Sequence, residues 1–554
     1  MRLRIPAVMA SVAMLLMASL QVQVGASADS AGAEQKILDS ITGQEVYALD
    51  QQLEQIGLRH PAFRSAGTEG ATEAATWLQG QLQSYGLTAT RESYLFSTWD
   101  LTGNATLALD ADGNASTMAD RTPFPSFQCE HWSLPTGGGG LFAPAVFLPL
   151  PNATNPTIVL GTLLRREAWD SIDTTGKVVV VGREVRWSHS WEYLFVEKLQ
   201  AQPPAAVVYV WNYEWMSWMD APFLSSAGGR PNAGAHYFWD EGIPVGSLNF
   251  TESRALMEQV RLGGRALLVH IPATLGNTSH YNVVAEIPGV DEPERLVLVT
   301  AHYDTVLSPG FIDNGGGTAA VLELAKAFAD AGRNESYKPR YTIRFVLFAD
   351  EELGYVGSIN YVRQHSAEMA DVVGVLNIDC IGAGQLLATD TMPQGSFDLD
   401  AMVRGAASDL GVPNAQGSPG GSDQEVFLSP ENANQMMISI WGVDPGIRQV
   451  VPVRESTLIA STPLLYSDYW QGGTAGWIHT EYDRSAAAPV PSWFSASNLG
   501  NDTRVVALAL MRVVPNTVPG PGSVDVSGLV VILGSMIAAG AAAAFMARRK
   551  KKEE

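Results

Sequence analysis

At 554 residues, with 46% hydrophobic and 17% charged side chains, the chain has room for two or three globular domains and is too apolar to be disordered. A formal charge of −22 excludes nucleic acid as a natural partner, because phosphate binding needs a basic face. Only eight of the 35 basic residues are Lys, and such an acidic, lysine-poor exterior fits either a salty medium or a biased genome composition.

Residues 1–28 read as a secretory signal: Arg2 and Arg4 precede an apolar run over 7–20, and Ala26-Ser27-Ala28 offers a cleavage site. Helix is expected across 33–87, within an N-terminal helical part of the main domain at 29–92. Ala74, Trp77, Leu78, Leu82 and Tyr85 share one face there, and Gly86 supplies a stop. From about residue 88 the pattern changes to short strands rich in Gly, Pro and Asn. Strands at 177–181, 205–210 and 266–269, with helices at 191–199 and 251–262, make a compact α+β module inserted over 93–275. Trp211, Tyr213, Trp215 and Trp218 cluster inside it. A packed loop core is the commoner origin of such a cluster, and a loop that overhangs a substrate crevice is the functional alternative.

The stretch 296–317, LVLVTAHYDTVLSPGFIDNGGG, organises the remainder of the chain. Its apolar run reads as a buried strand ending in His302, with Asp304 two residues on and Asp313 after a short loop. A helix follows over 318–331, with Val321, Leu324, Ala325 and Phe328 on one face. The strand at 341–349 runs into Asp350, Glu351 and Glu352, three consecutive carboxylates that repel one another unless cations hold them. The next strand, 372–378, ends in Asp379. His479, beside Thr480 and Asp483, follows a further apolar stretch at 435–441 and a long irregular insertion. Parallel strands of one sheet bring their carboxyl ends to one edge, so His302, Asp313, Glu351, Glu352 and Asp379 are expected to converge, with His479 reachable from a loop. Two His and four carboxylates suit two divalent ions, zinc above all. The other seven His, including His60, His280 and His365, are read as structural or surface residues.

At the far end, 515–525 is a Pro/Gly stalk and 528–547 is a charge-free run long enough to cross a bilayer, giving an expected membrane helix at 526–547. The basic tail 548–554 places itself in the cytoplasm, so the expectation is a single-pass cell-membrane protein with its folded part outside. Seven N-x-S/T sequons, at Asn104, Asn114, Asn152, Asn249, Asn277, Asn334 and Asn501, suit that side of a membrane. Cys129 and Cys380 are too few for a disulfide framework and read as free or buried thiols.

In this order, AHYD, SPGFIDNGGG, FADEE, NID and IHTEYD resemble peptidase family M28, the co-catalytic zinc aminopeptidases. The sequence over 158–272, with GKVVVVGRE and GIPVGSLNF, resembles a protease-associated (PA) domain. The resemblance implies a mixed, mostly parallel α/β sheet flanked by helices, a catalytic domain over 276–514 and two zinc ions. It implies that His302 and Asp379 hold one zinc, Glu352 and His479 the other, and that Asp313 bridges them. Glu351 is the implied general base, with Asp304 orienting His302, and peptides or proteins are the implied substrates, hydrolysed from the amino end. A carboxypeptidase, dipeptidase or glutaminyl cyclase on the same fold, or a non-catalytic receptor-like ectodomain, is the alternative. Two departures stand out: the family's SDH motif is Ser422-Asp423-Gln424 here, and its oxyanion tyrosine falls at Pro419, leaving Tyr466, Tyr469 and Tyr482 as candidate donors. Oligomeric state and side-chain preference are not encoded in any of these motifs.

Overall fold

The computed structural model describes residues 32–113, 121–150, 167–183, 189–214, 222, 242–382, 386–390, 397–416, 421–462, 478–485 and 494–518. The signal, most of the stalk, the apolar run 528–547 and the basic tail lie outside the described residues, as do Asn114, Asn152, Trp215, Trp218, Pro419, Tyr466 and Tyr469. Among the described residues no helix is long and apolar enough to cross a membrane.

A short helix over 32–40 opens the fold, followed by α1 (Gly43–Gly57) and α2 (Glu69–Ser84). Both α1 and α2 start on a threonine that accepts from a backbone N–H three residues on, Thr42 from Glu45 and Thr68 from Ala71. The helix expected over 33–87 is therefore interrupted at 58–68, where Pro61 removes a donor and Thr68 caps the next helix. The chain then forms β1 (Ala89–Leu101) and enters a second module. This contains β2 (Thr106–Asp110), β3 (Thr122–Pro123), β4 (Gln128–Cys129), β5 (Leu141–Leu148), β6 (Val178–Gly182), α3 (His189–Ala201), β7 (Ala206–Val210), β8 (Val245–Ser247), α4 (Phe250–Arg261) and β9 (Ala266–His270). Its strands form one sheet in the order β3-β2-β9-β5-β6-β7-β8-β4.

The chain returns through β10 (Ala273–Ile287), followed by β11 (Glu292–His302), α5 (Gly316–Arg333), β12 (Tyr341–Phe348), α6 (Val356–Gln364), β13 (Val372–Ile378), β14 (Leu386–Asp390), α7 (Phe397–Asp409), β15 (Asn414–Gln416), α8 (Gln424–Leu428), α9 (Pro430–Trp441), β16 (Ser456–Thr462) and α10 (Ala496–Val513). These strands and β1 form the main sheet, in the order β1-β10-β12-β11-β13-β16-β14-β15. The pairs β12/β11, β11/β13 and β13/β16 are parallel, and β1/β10 and β10/β12 are antiparallel. Strand β1 passes through the boundary expected at residue 93, because it pairs with β10 along its whole length, from Ala89↔Ala285 to Leu101↔Ala273. The expected apolar stretch at 435–441 lies in a helix, α9, and the strand that precedes His479 is β16. Periodicity alone could not separate these two, since short apolar runs fit either state.

Both faces of the parallel strands β11, β12 and β13 are buried, as a parallel sheet requires. Along β11, Val297, Val299 and Ala301 point into a core shared with α1, α2, α5, α7 and α10. Leu296 and Leu298 point into the opposite core, shared with α6, α8, α9 and the inserted module. Cys129 and Cys380 are both free and buried.

Candidate metal centre

β11 is flanked by β12 and β13, all parallel, so three carboxyl ends open into one crevice. His302 is the last residue of β11, Asp350–Glu351–Glu352 leave β12, and Asp379 leaves β13. Asp313 comes from the loop before α5, and His479 from the segment 478–485. The structure thus brings together every one of these sequence-predicted residues.

They form two groups of donor atoms that share Asp313: His302, Asp313 and Asp379 in one, and Asp313, Glu352 and His479 in the other. His302 Nε2 lies 3.3 Å from Asp313 Oδ1 and 3.4 Å from Asp379 Oδ1. His479 Nε2 lies 3.2 Å from Asp313 Oδ2 and 3.2 Å from Glu352 Oε1. Asp313 therefore turns one oxygen to each group. Metal bonds of 2.0–2.1 Å at tetrahedral angles separate neighbouring ligand atoms by about 3.3 Å, so these spacings fit zinc. Glu352 Oε1 and Asp379 Oδ1 are also buried without a hydrogen bond, as metal-ligand oxygens would be before loading. Burial alone would lower the pKa of His302, but Asp379, Glu351, Asp304 and Asp313 together raise it well above its ordinary range. His479 is raised likewise, by Glu352 and Asp313. The cluster carries a field that favours cations at both histidines.

Asp304 faces His302 on its Nδ1 side and also holds the glutamate turn. It lies 3.5 Å from His302 Nδ1, beyond a good hydrogen bond, while its two oxygens accept the backbone N–H groups of Glu351 at 3.1 Å and Glu352 at 3.3 Å. Its main contact is therefore with the turn that carries the paired glutamates. Glu351 is half-buried beside the ligands, and burial raises its carboxyl pKa well above the ordinary value, reinforced by Glu352, Asp379 and Asp423 against His302.

The sequence reading did not single out Asn314 or Arg64, and it named Asp483 without a role, yet these residues hold the arrangement. Asn314 Nδ2 donates to Ile378 O at 2.8 Å, and its Oδ1 accepts from Gly317 N and Cys380 N, tying the start of α5 to the end of β13. Asp483 accepts from the N–H groups of Ile312 and Asp313 at 2.6 and 3.2 Å. Buried Arg64 donates to the carbonyls of Tyr303, Pro309 and Gly310. A side chain at Gly317 would put its Cβ 2.3 Å from Asn314 Oδ1, which explains one glycine of the GGG run. The left-handed backbone at Asp350, Tyr355, Cys380 and His479 marks the same locality. In the departing Ser422-Asp423-Gln424 segment all three residues are buried. Asn377 Nδ2 reaches Ser422 Oγ at 3.0 Å and Gln424 Oε1 at 3.4 Å, so the glutamine serves packing beneath the site.

Residues 282–490 match peptidase family M28, and this segment is an M28-family domain. The "Probable leucine aminopeptidase 2" of Aspergillus fumigatus is 28% identical over 241 residues, 43% of each chain. "Aminopeptidase YwaD" of Bacillus subtilis is 30% identical over 218 residues, 38% of this chain and 45% of that one. The matched part spans less than half the length of these relatives. Among solved structures, the zinc aminopeptidase BSAP from Bacillus subtilis superposes with a TM-score of 0.59 at 21% identity, covering 86% of this chain and 97% of that one. That likeness establishes the fold.

Proposed function

We propose that the protein is a zinc-dependent aminopeptidase that hydrolyses the amino-terminal bond of peptides. The observation that carries this reading is the pair of donor sets sharing Asp313, with the half-buried carboxylate of Glu351 directly beside them. His302 and Asp379 would hold one zinc, Glu352 and His479 the other, and Asp313 both. When bound, two such ions supply Lewis acidity toward a water molecule and the scissile carbonyl. Glu351 takes the proton from the attacking water and passes it to the leaving amine, a task that suits a carboxyl whose pKa is raised by burial. Asp304 fixes Glu351 and Glu352 through their backbone N–H groups, which keeps base and ligand at a constant offset.

The sequence supports a location outside the cytoplasm: a signal at 1–28, a stalk at 515–525, a membrane helix at 526–547 and a basic tail would hang the enzyme from the cell surface. The inserted module would be a PA-like domain, and the sequons would lie on the extracytoplasmic side of the membrane.

The test is a panel of amino-acid p-nitroanilides, N-blocked peptides and carboxy-blocked peptides, with and without a chelator. Cleavage that needs a free amino terminus and is lost on chelation is the expected result. Cleavage that needs a free carboxyl end would replace this reading with a carboxypeptidase. Glu351→Gln is expected to retain zinc and lose at least about 100-fold in kcat; a zinc-loaded variant of normal activity would remove the mechanism.

A further inference from the structure

The inserted module hangs from a two-stranded stem, the β1–β10 ribbon, and Tyr94 and His280 face each other across it. Both side chains are buried, and both reach one carboxylate, that of Asp350, the residue before Glu351. Tyr94 Oη donates to Asp350 Oδ2 at 2.8 Å, and His280 Nδ1 lies 2.5 Å from the same oxygen. A carboxylate only accepts, so Nδ1 carries the proton. The imidazole is closely packed: Phe96 lies edge-on at 5.9 Å, and the Gly67 backbone comes so near that a Cβ there would sit 2.5 Å from its Cε1.

Asp350 has φ +60, a conformation that a non-glycine residue keeps only where its surroundings over-determine it. Its carbonyl accepts from Val356 N at 3.0 Å, so the turn closes back on itself. Asp304 grips the next two N–H groups from the opposite side. The glutamate turn is therefore held by β11 on one flank and by the stem on the other. His280, read from the sequence as a structural or surface residue, is a buried member of this arrangement.

We propose that Tyr94, His280 and Asp350 are positioning residues that aim Glu351 and Glu352, so that the stem of the inserted module sets the geometry of the catalytic turn. This rests on the site reading given above. Partners one shell beyond metal ligands typically change affinity or activity 10–100-fold when removed.

The experiment uses the full-length, zinc-loaded chain and the variants His280→Leu, His280→Asn and Tyr94→Phe. Zinc affinity is measured by competition with a chelating indicator, kcat and KM on leucine p-nitroanilide, and melting temperature by calorimetry. Expected are a 10–100-fold fall in kcat for His280→Leu with KM within twofold, and zinc binding weakened at least tenfold. His280→Asn, which keeps a donor near Nδ1, recovers most of both. Tyr94→Phe removes a single oxygen and carries the test if His280→Leu does not fold. Variants that melt earlier yet keep wild-type kcat and zinc affinity per folded molecule would overturn the proposal. Should the wild type cleave no substrate, the peptidase reading fails by itself, and the zinc-affinity arm still decides the role of His280.

Discussion

Tyr355 follows the glutamate turn with a left-handed backbone, φ +62, and its hydroxyl stands over Gly421, where a Cβ would come within 2.6 Å of it. Burial raises the phenol's pKa, and Glu351, Glu425, Asp423 and Asp379 raise it further. The group therefore stays protonated across the neutral range and remains a hydrogen-bond donor on the edge of a carboxylate-rich crevice. A neutral donor so placed can stabilise negative charge that develops on a substrate oxygen, a service that a proline at 419, having no N–H or O–H, cannot give. Tyr355→Phe is expected to lower kcat roughly 10–100-fold with zinc content and melting temperature unchanged. Steady-state kinetics and metal analysis of the variant check this, and an unaltered kcat would exclude Tyr355 as the donor.

At the scale of elements, α6 is fastened at both ends. Its start is tied to the glutamate turn by the Val356 N–H to Asp350 O bond. The residue that caps its C-terminus, His365, sits between Glu92 Oε2 at 2.9 Å and Glu368 Oε2 at 3.1 Å, stacked on Tyr361 at 4.3 Å. Arg344 on β12 pairs with Glu368 at 2.6 Å and also with Glu286, so two cations and three carboxylates meet here. Burial pushes the His365 pKa down, but the hydrogen bond it donates to Glu92 and the charges of Glu92 and Glu368 leave it above the ordinary value, against Arg344. A raised folded-state pKa means that the charged form is stabilised by folding. The contribution is therefore complete below the unfolded value of about 6.5 and fades as pH rises through the folded value. Denaturant melts between pH 5.5 and 8.5 are expected to show His365→Gln destabilised most at the acid end, the gap to wild type closing with pH. A gap that widens with pH would contradict the assignment.

Over the whole molecule, the helices of one core and the inserted module of the other clamp a single sheet whose central strand ends in the site. The module reaches that site a second time through Trp132, which packs on Trp441 at 5.3 Å, while Trp441 Nε1 donates to Leu353 O at 2.8 Å. Four carboxylates crowd the crevice, so their mutual repulsion opposes the folded state until cations are bound. Ions that bind only the folded chain stabilise it by about 4 kcal/mol at a free concentration 1,000 times the dissociation constant. Chelation is expected to lower the melting temperature by roughly 5–15 °C, and added zinc to restore it, as followed by calorimetry. An unchanged transition after complete metal removal would show that the cluster is not a folding-linked metal site.

The sequence by itself determined the strands and what stands at their ends. Apolar runs closing on His302, on Asp350-Glu351-Glu352 and on Asp379 are local signals, since strand period and burial are written in consecutive residues. From parallel pairing it follows that such ends meet, and the order of motifs was enough to suggest the family. The tertiary structure alone decided what holds them. Arg64 reaches the carbonyl of Tyr303 from 239 positions away, Tyr94 reaches Asp350 across 256, and Asp483 reaches the Ile312 N–H across 171. Hydrogen bonds at such separations leave no periodicity or spacing in the chain. Likewise β16 and α9 could not be told apart by composition, because a short apolar run takes the state that its neighbours in space allow. The stem shows the same limit: β1 from residue 93 onward reads as part of the module by composition, yet all thirteen residues of the strand belong to the main sheet because β10 returns to pair with them.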